Sequence, residues 1–148
     1  MKTIIAVWHS GGKGKTKTLR ELANLLLETY PDYKTIYPNP IKIPSKYDFR
    51  LVVEIKGIII GIESQGDPNT QLEKRLDELA KTYKCDLIFC TTRTKGKTVK
   101  AVEKIAKEYS FNEIWTSTYQ TNVESNYAML NYIKAQHLLD LVQQLDII

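Results

Sequence analysis

Ser10-Gly11-Gly12-Lys13-Gly14-Lys15-Thr16 is the stretch whose reading decides the fold. Its glycines free the backbone to turn tightly and to bring successive N–H groups toward one point, and Lys15-Thr16 then open a run with helical periodicity. A loop of this kind, ending in a helix N-terminus with its positive potential, suits a chain of phosphates. Upstream lies Thr3-Ile4-Ile5-Ala6-Val7-Trp8, an apolar, β-rich run of the kind buried on both faces of a sheet. Downstream, Leu19, Leu22, Ala23, Leu26 and Tyr30 recur at three- and four-residue steps, so a helix runs from about Lys15 until Pro31 stops it.

Working outward, Pro31, Pro38, Pro40 and Pro44 forbid regular structure over most of residues 31–47, which reads as a long loop with one short edge strand near Ile36. Two apolar runs, Phe49 to Ile55 and Ile58 to Glu63, are parted only by Lys56-Gly57 and predict a tight hairpin. Alternation follows: a helix carrying Leu72, Leu76, Leu79, Ala80 and Tyr83, a strand over Asp86 to Thr91, and a helix carrying Val99, Val102, Ala106 and Tyr109. A strand over Glu113 to Ser117 and a last helix with Leu130, Ile133, Leu138, Leu141 and Leu145 complete the chain. This order predicts one α/β domain over residues 1–148: a three-layer sandwich around a mainly parallel sheet of five or six strands, with the hairpin supplying one antiparallel strand.

A chain of 148 residues with 43% apolar content is long enough to bury one such core. The net charge of +4 comes from lysines interleaved with acids on the helical stretches, which reads as solvated helix faces and argues against a nucleic-acid surface. No apolar run approaches the length of a membrane span, and the N-terminus enters a strand pattern without a secretory signal, so a cytoplasmic protein is expected, with no membrane partner. Cys85 and Cys90 flank one strand, match no metal-ligand spacing, and read as reduced core residues.

Strand, glycine loop and Lys-Thr-led helix together resemble the P-loop NTPase superfamily, in a variant form. The usual GxxxxGK[ST] pattern would demand Gly where this chain has His9. The alternative register resembles the KGGxGKT loop of partition-type ATPases, matching Gly11, Gly12, Gly14, Lys15 and Thr16 while Ser10 stands at the signature lysine and Lys13 lies nearby. The resemblance implies a nucleoside triphosphate with Mg²⁺, cradled by Ser10, Gly11, Gly12, Lys13, Gly14, Lys15, Thr16 and Lys17. Lys15 would reach the β- and γ-phosphates, and the Thr16 hydroxyl would serve the metal.

Such a site also needs a carboxylate for magnesium, expected at the C-terminal end of a neighbouring apolar strand. Glu63, at the end of Ile58 to Ile62, is one candidate and Asp67 the other, although Asp67 followed by Pro68 also reads as a helix N-cap. Gln65 could orient a water. After the strand ending at Thr91, Arg93, Lys95 and Lys97 add positive charge at the same sheet edge, and Arg93 can bind two phosphate oxygens at once. Lys15, Glu63 and Arg93 are therefore the expected catalytic groups, and Thr16, Glu63 and Asp67 the expected metal ligands.

Glu63-Ser64-Gln65-Gly66 is also similar to the DxxG of guanine-nucleotide switch proteins, and Thr116-Ser117-Thr118 to their TSA segment. The chain reads Thr91-Thr92-Arg93-Thr94 where their guanine-reading NKxD would stand, so ATP is favoured over GTP. The expected function is hydrolysis of the triphosphate or transfer of its γ-phosphate to a small, phosphate-bearing acceptor. The alternative is a nucleotide-controlled switch that recruits a partner through the 31–47 loop. Trp115, Tyr119 and His137 read as packing residues, and a homo-oligomer stays open.

Overall fold

A computed structural model describes residues 2–148. In chain order the elements are β1 (Thr3–Trp8), α1 (Lys15–Thr29), β2 (Lys34–Tyr37), β3 (Arg50–Ile55), β4 (Ile58–Glu63), α2 (Leu72–Asp77), β5 (Leu87–Thr92), α3 (Lys97–Tyr109), β6 (Asn112–Ser117) and α4 (Tyr127–Gln144). The strands pair into one sheet in the order β2-β3-β4-β5-β1-β6. Pairs β4–β5, β5–β1 and β1–β6 are parallel, while β3 is antiparallel to both β2 and β4, so β3 alone runs against the rest.

Alternation along β1 explains the layers. Ile5 and Val7 join a core with Leu19, Leu22 and Leu26 of α1 and Leu138 and Val142 of α4. Ile4 and Ala6 point the other way, into a core with Leu72 and Leu76 of α2 and Val102 and Ile105 of α3. Each of these four β1 side chains is essentially inaccessible to solvent, as a strand covered by helices on both faces requires. The α/β sandwich expected from the alternation is therefore present, with six strands.

Three features differ from the sequence-based expectation. First, β5 lies between β1 and β4, so the strand ending at Glu63 is not a neighbour of the strand leading into the glycine loop. Second, the helix expected from Leu72 through Tyr83 is an α-helix only to Asp77 and continues as a wider π-helical turn over Glu78–Thr82, closed by the Tyr83 N–H donating to the Glu78 carbonyl at 3.0 Å. Third, Asp67 is not the N-cap. The helix starts later, with Gln71 at the cap in the left-handed region (φ 61), and Asp67 sits in a turn where the Thr70 hydroxyl donates to the Asp67 carbonyl at 2.6 Å.

Among the described residues no helix is long and apolar enough to cross a membrane. Cys85 and Cys90 are buried and unpaired, and burial pushes the Cys85 thiol up to about 12 and the Cys90 thiol higher still, so both stay protonated and inert.

Candidate functional site

All five co-directional strands end at one edge of the sheet, where β1 runs into the glycine loop. Gly12 (φ 70) and Gly14 (φ 81) lie in the left-handed region, and the backbone curls there before α1 begins at Lys15. A Cβ at Gly14 would stand 2.7 Å from Oδ1 of Asn131, a buried α4 residue that props the loop from behind. The first N–H groups of α1 have no partner within the helix, so the loop and the helix start present donors to whatever occupies the hollow above them. Its mouth is anchored by the His9 ring, whose Nδ1 accepts from the Ser10 N–H at 2.8 Å, and by Gln120, which donates to the Lys13 carbonyl at 2.9 Å.

Lys15 is 7% exposed, and its ammonium folds back across the loop to donate to the carbonyls of His9 (2.9 Å) and Thr92 (2.8 Å). Burial holds its pKa below the ordinary value, the Asp67 carboxylate opposing that shift and the Arg93 charge adding to it. Arg93 follows β5 and reaches the same place. Its guanidinium lies against Gly11, where an added Cβ would be 2.8 Å from Nη2, and its Nε donates to Asp67 Oδ1 at 2.9 Å. Asp67 also stands 3.8 Å from the Lys15 ammonium, so one half-exposed carboxylate faces both cations. Lys13, Lys17, Lys95 and Lys97 remain solvent-exposed around this centre.

Thr16 opens a second chain of contacts. Its hydroxyl donates to Asp48 Oδ1 at 2.8 Å, the Ser64 hydroxyl donates to the same oxygen at 3.0 Å, and the Phe49 N–H donates to Ser64 Oγ at 2.7 Å. Glycine loop, start of β3 and end of β4 are thereby tied around a hollow of about 240 Å³ bounded by Gly12, Lys15, Thr16, Ser64, Asp67 and Thr91. Gly66 permits this closeness: a Cβ there would sit 1.8 Å from the Thr91 carbonyl oxygen, well inside contact distance. The set consists of a glycine-rich backbone turn, two cations sharing Asp67, and a hydroxyl bonded to Asp48. It suits a polyphosphate with Mg²⁺, a metal usually held by one or two protein groups plus phosphate oxygens and not by a full protein cage. No group of three or more His, Cys, Asp or Glu able to hold a metal occurs among the described residues.

Glu63 is placed differently from Asp67. It is 1% exposed, accepts from Arg50 Nε at 2.8 Å and lies 4.0 Å from Arg75, and it borders a larger neighbouring cleft rather than the glycine-loop hollow. Burial pushes its carboxyl above the usual range despite the pull of Arg50 and Arg75. Burial also works against the Arg50 charge, but bonds from Glu78 and Glu63 outweigh it and hold that guanidinium firmly protonated. This carboxylate is already committed to arginine, and the structure does not bring it to Thr16. Trp115 packs on the α2–α3 core and takes no part in the site, while the Tyr119 hydroxyl and His137 Nδ1 sit 2.6 Å apart on its α4 side.

Two contributors escaped the sequence reading. Asp48 was legible in principle: in an antiparallel hairpin the residue before the first strand lies beside the residue after the second, and the register Arg50↔Glu63 puts Asp48 at the C-terminal edge of β4. Asn131 carried no signal, since a polar residue on a helix face gives no hint that it will meet a loop over a hundred positions away. Comparison with family models, with curated proteins and with solved structures finds no match to this chain, so function is argued from the geometry above.

Proposed function

We propose that the chain is a P-loop NTPase-like protein that binds a magnesium nucleoside triphosphate in the hollow of the glycine loop and hydrolyses it or transfers its γ-phosphate to a small acceptor. The observation that carries this reading is the convergence of Lys15 and Arg93 on a loop whose Thr16 hydroxyl touches a carboxylate. Lys15 would leave the His9 and Thr92 carbonyls for phosphate oxygens, and Arg93 would neutralise charge that develops on the transferred group. Thr16, with Asp48 and Asp67, would hold the magnesium and its water shell. When bound, the metal supplies charge neutralisation at the phosphate oxygens. Glu63 is left out of this set because Arg50 already occupies it.

ATP is favoured over GTP because Thr91-Thr92-Arg93-Thr94 stands at the end of β5 in place of a guanine-reading Asn-Lys-x-Asp. One contact also favours the second reading, a nucleotide-controlled switch: Asp48 ties the end of the proline-rich loop to Thr16, so magnesium arriving at Thr16 would disturb that loop. Calorimetric titration with Mg-ATP and Mg-GTP tests the proposal. Saturable, magnesium-dependent heat is expected, stronger for ATP and absent in Lys15→Ala. No heat from either nucleotide at millimolar concentration would reject it. Turnover that rises with an added acceptor marks an enzyme, whereas slow hydrolysis with nucleotide-dependent partner capture marks a switch.

A further inference from the structure

The sheet has two edges, and they are built differently. At one end β2 runs for only four residues, bulges between Thr35 and Tyr37 and gives way to Pro38, so it offers little to a further strand. At the other end β6 keeps an unbroken register with β1 over all six of its residues, Asn112-Glu113-Ile114-Trp115-Thr116-Ser117. That sequence carries one acid and no Lys, Pro or Gly, the residues that usually blunt an open edge.

The ladder to β1 uses alternate residues of β6. The Asn112 N–H donates to the Lys2 carbonyl at 2.8 Å, so Asn112, Ile114 and Thr116 turn their backbone groups to β1, and Glu113, Trp115 and Ser117 turn theirs outward. Among the described residues no backbone bond reaches these three N–H and three C=O groups from elsewhere in the chain. They are open to a visitor, since Glu113 is exposed and Trp115 and Ser117 are half-buried. The side chains alternate likewise. Ile114 packs on the α1–α4 core, and Trp115 packs on the α2–α3 core with its indole N–H donating to Glu113 Oε1 at 3.1 Å.

We propose that β6 is a dimer interface, pairing antiparallel with β6 of a second copy of this chain about a two-fold axis at Trp115. In that register Trp115 exchanges both backbone bonds with Trp115 of the second copy, and Glu113 does the same with Ser117 of the second copy, on both sides of the axis. Every outward group of the strand is then paired. Centring the pair on Ile114 or Thr116 leaves Ser117 or Glu113 with no partner inside β6. Side chains agree with the same register: Ile114 stands opposite Thr116 of the second copy on one face, and the two indoles lie side by side on the other, with Cα atoms about 5.5 Å apart. The strand's one charge stays clear of itself, because Glu113 faces Ser117 and lies about 13 Å along the strands from Glu113 of the second copy. This self-complementarity is what selects a second copy as the occupant, and closed two-fold pairing is the commonest form of assembly. An antiparallel two-fold points the two glycine loops in opposite directions, so the dimer does not depend on what those loops bind. One strand edge with its flanks is a small interface, and the dimer should be reversible at micromolar concentration.

Sedimentation equilibrium of the full chain across micromolar concentrations, with and without Mg-ATP, tests the proposal. A reversible monomer–dimer equilibrium is expected, changed no more than a few-fold by nucleotide. Amide hydrogen exchange should slow with concentration at Glu113, Trp115 and Ser117, and not at Asn112, Ile114 or Thr116, which already bond β1. Glu113→Pro removes one outward N–H and no bond to β1, so it should fold and stay monomeric. Ser117→Glu sets two acids directly opposite each other on both sides of the axis and should weaken dimerisation about tenfold or more. Adding Glu113→Lys to it turns both contacts into ion pairs and should restore dimerisation at least to the wild-type level. A chain that is monomeric at every concentration overturns the proposal. So does a dimer indifferent to Ser117→Glu, one whose weakening Glu113→Lys fails to relieve, or one that forms only with Mg-ATP, because each moves the interface off this register.

Discussion

Two clusters of carboxylates and cations sit at the same edge of the sheet, and they differ in how complete they are. Around Glu63, the acid is fully buried and paired with Arg50, which in turn holds Glu78 at 2.7 Å. Around Asp67, the acid is 51% exposed and shared between Arg93 at 2.9 Å and Lys15 at 3.8 Å, and the Lys15 ammonium rests on backbone carbonyls. A saturated, buried pair leaves a ligand nothing to bind and marks structure. A half-exposed cluster whose bonds can be exchanged for bonds to an anion is what the proposed site requires.

The contrast is broken most sharply at Glu63. Glu63→Gln should cost about 3 kcal/mol in urea unfolding, because it takes the buried carboxylate out of the pair and leaves Arg50 with the exposed Glu78 alone. The fraction that folds should bind nucleotide as the parent does; a stability loss under about 1 kcal/mol, or lost binding in folded protein, would erase the distinction. Next comes Gly66→Ala, whose new Cβ collides with the Thr91 carbonyl at the seam between the clusters. Overpacking of this kind costs about 1–3 kcal/mol, and nucleotide affinity should fall as Ser64 and Asp67 are pushed off the loop.

Asp67→Asn should behave oppositely to Glu63→Gln. Its exposed pairs are worth about 1 kcal/mol or less, so stability should hardly move. The enhancement of ATP affinity by Mg²⁺ should fall about tenfold, roughly 1.4 kcal/mol, read from titrations with and without the metal. An unchanged magnesium dependence would remove Asp67 from the metal's surroundings.

The smallest expected effect is at Lys134, a 9% exposed α4 lysine whose ammonium donates to Thr116 Oγ1 at 2.6 Å and lies over the Tyr119 ring. Burial lowers its pKa below 10.5, so between the lowered value and 10.5 the unfolded chain binds more protons than the native one, and stability rises with pH. Lys134→Met should flatten that rise. An unchanged pH slope would show that the ammonium is better solvated than its burial implies.

Much of this architecture can be read from residue patterns, because periodicity reports which side of an element is covered. β1, the glycine loop, α1 and the hairpin follow directly from apolar runs and from Gly and Pro positions. Strand order does not, since no local pattern tells Ile58–Glu63 that β5 will insert between it and β1, and Glu63 itself is turned to Arg50 while its neighbour Ser64 lines the hollow. The cations of the site were readable for a related reason: Lys15 and Arg93 both follow strand ends. Which carboxylate faces them depends on burial and on competing arginines, and Arg50 decides it from a strand whose sequence only announces a hairpin.

Everything assigned to the glycine loop turns on one equilibrium, the stabilisation of the fold by Mg-ATP. At about a hundred times its dissociation constant, the ligand should add about 2.7 kcal/mol to the unfolding free energy of the wild-type chain, and Lys15→Ala should lose that gain. A wild-type chain whose stability is unmoved by millimolar Mg-ATP or Mg-GTP, or a Lys15→Ala chain that gains as much as wild type, would contradict triphosphate binding at this loop.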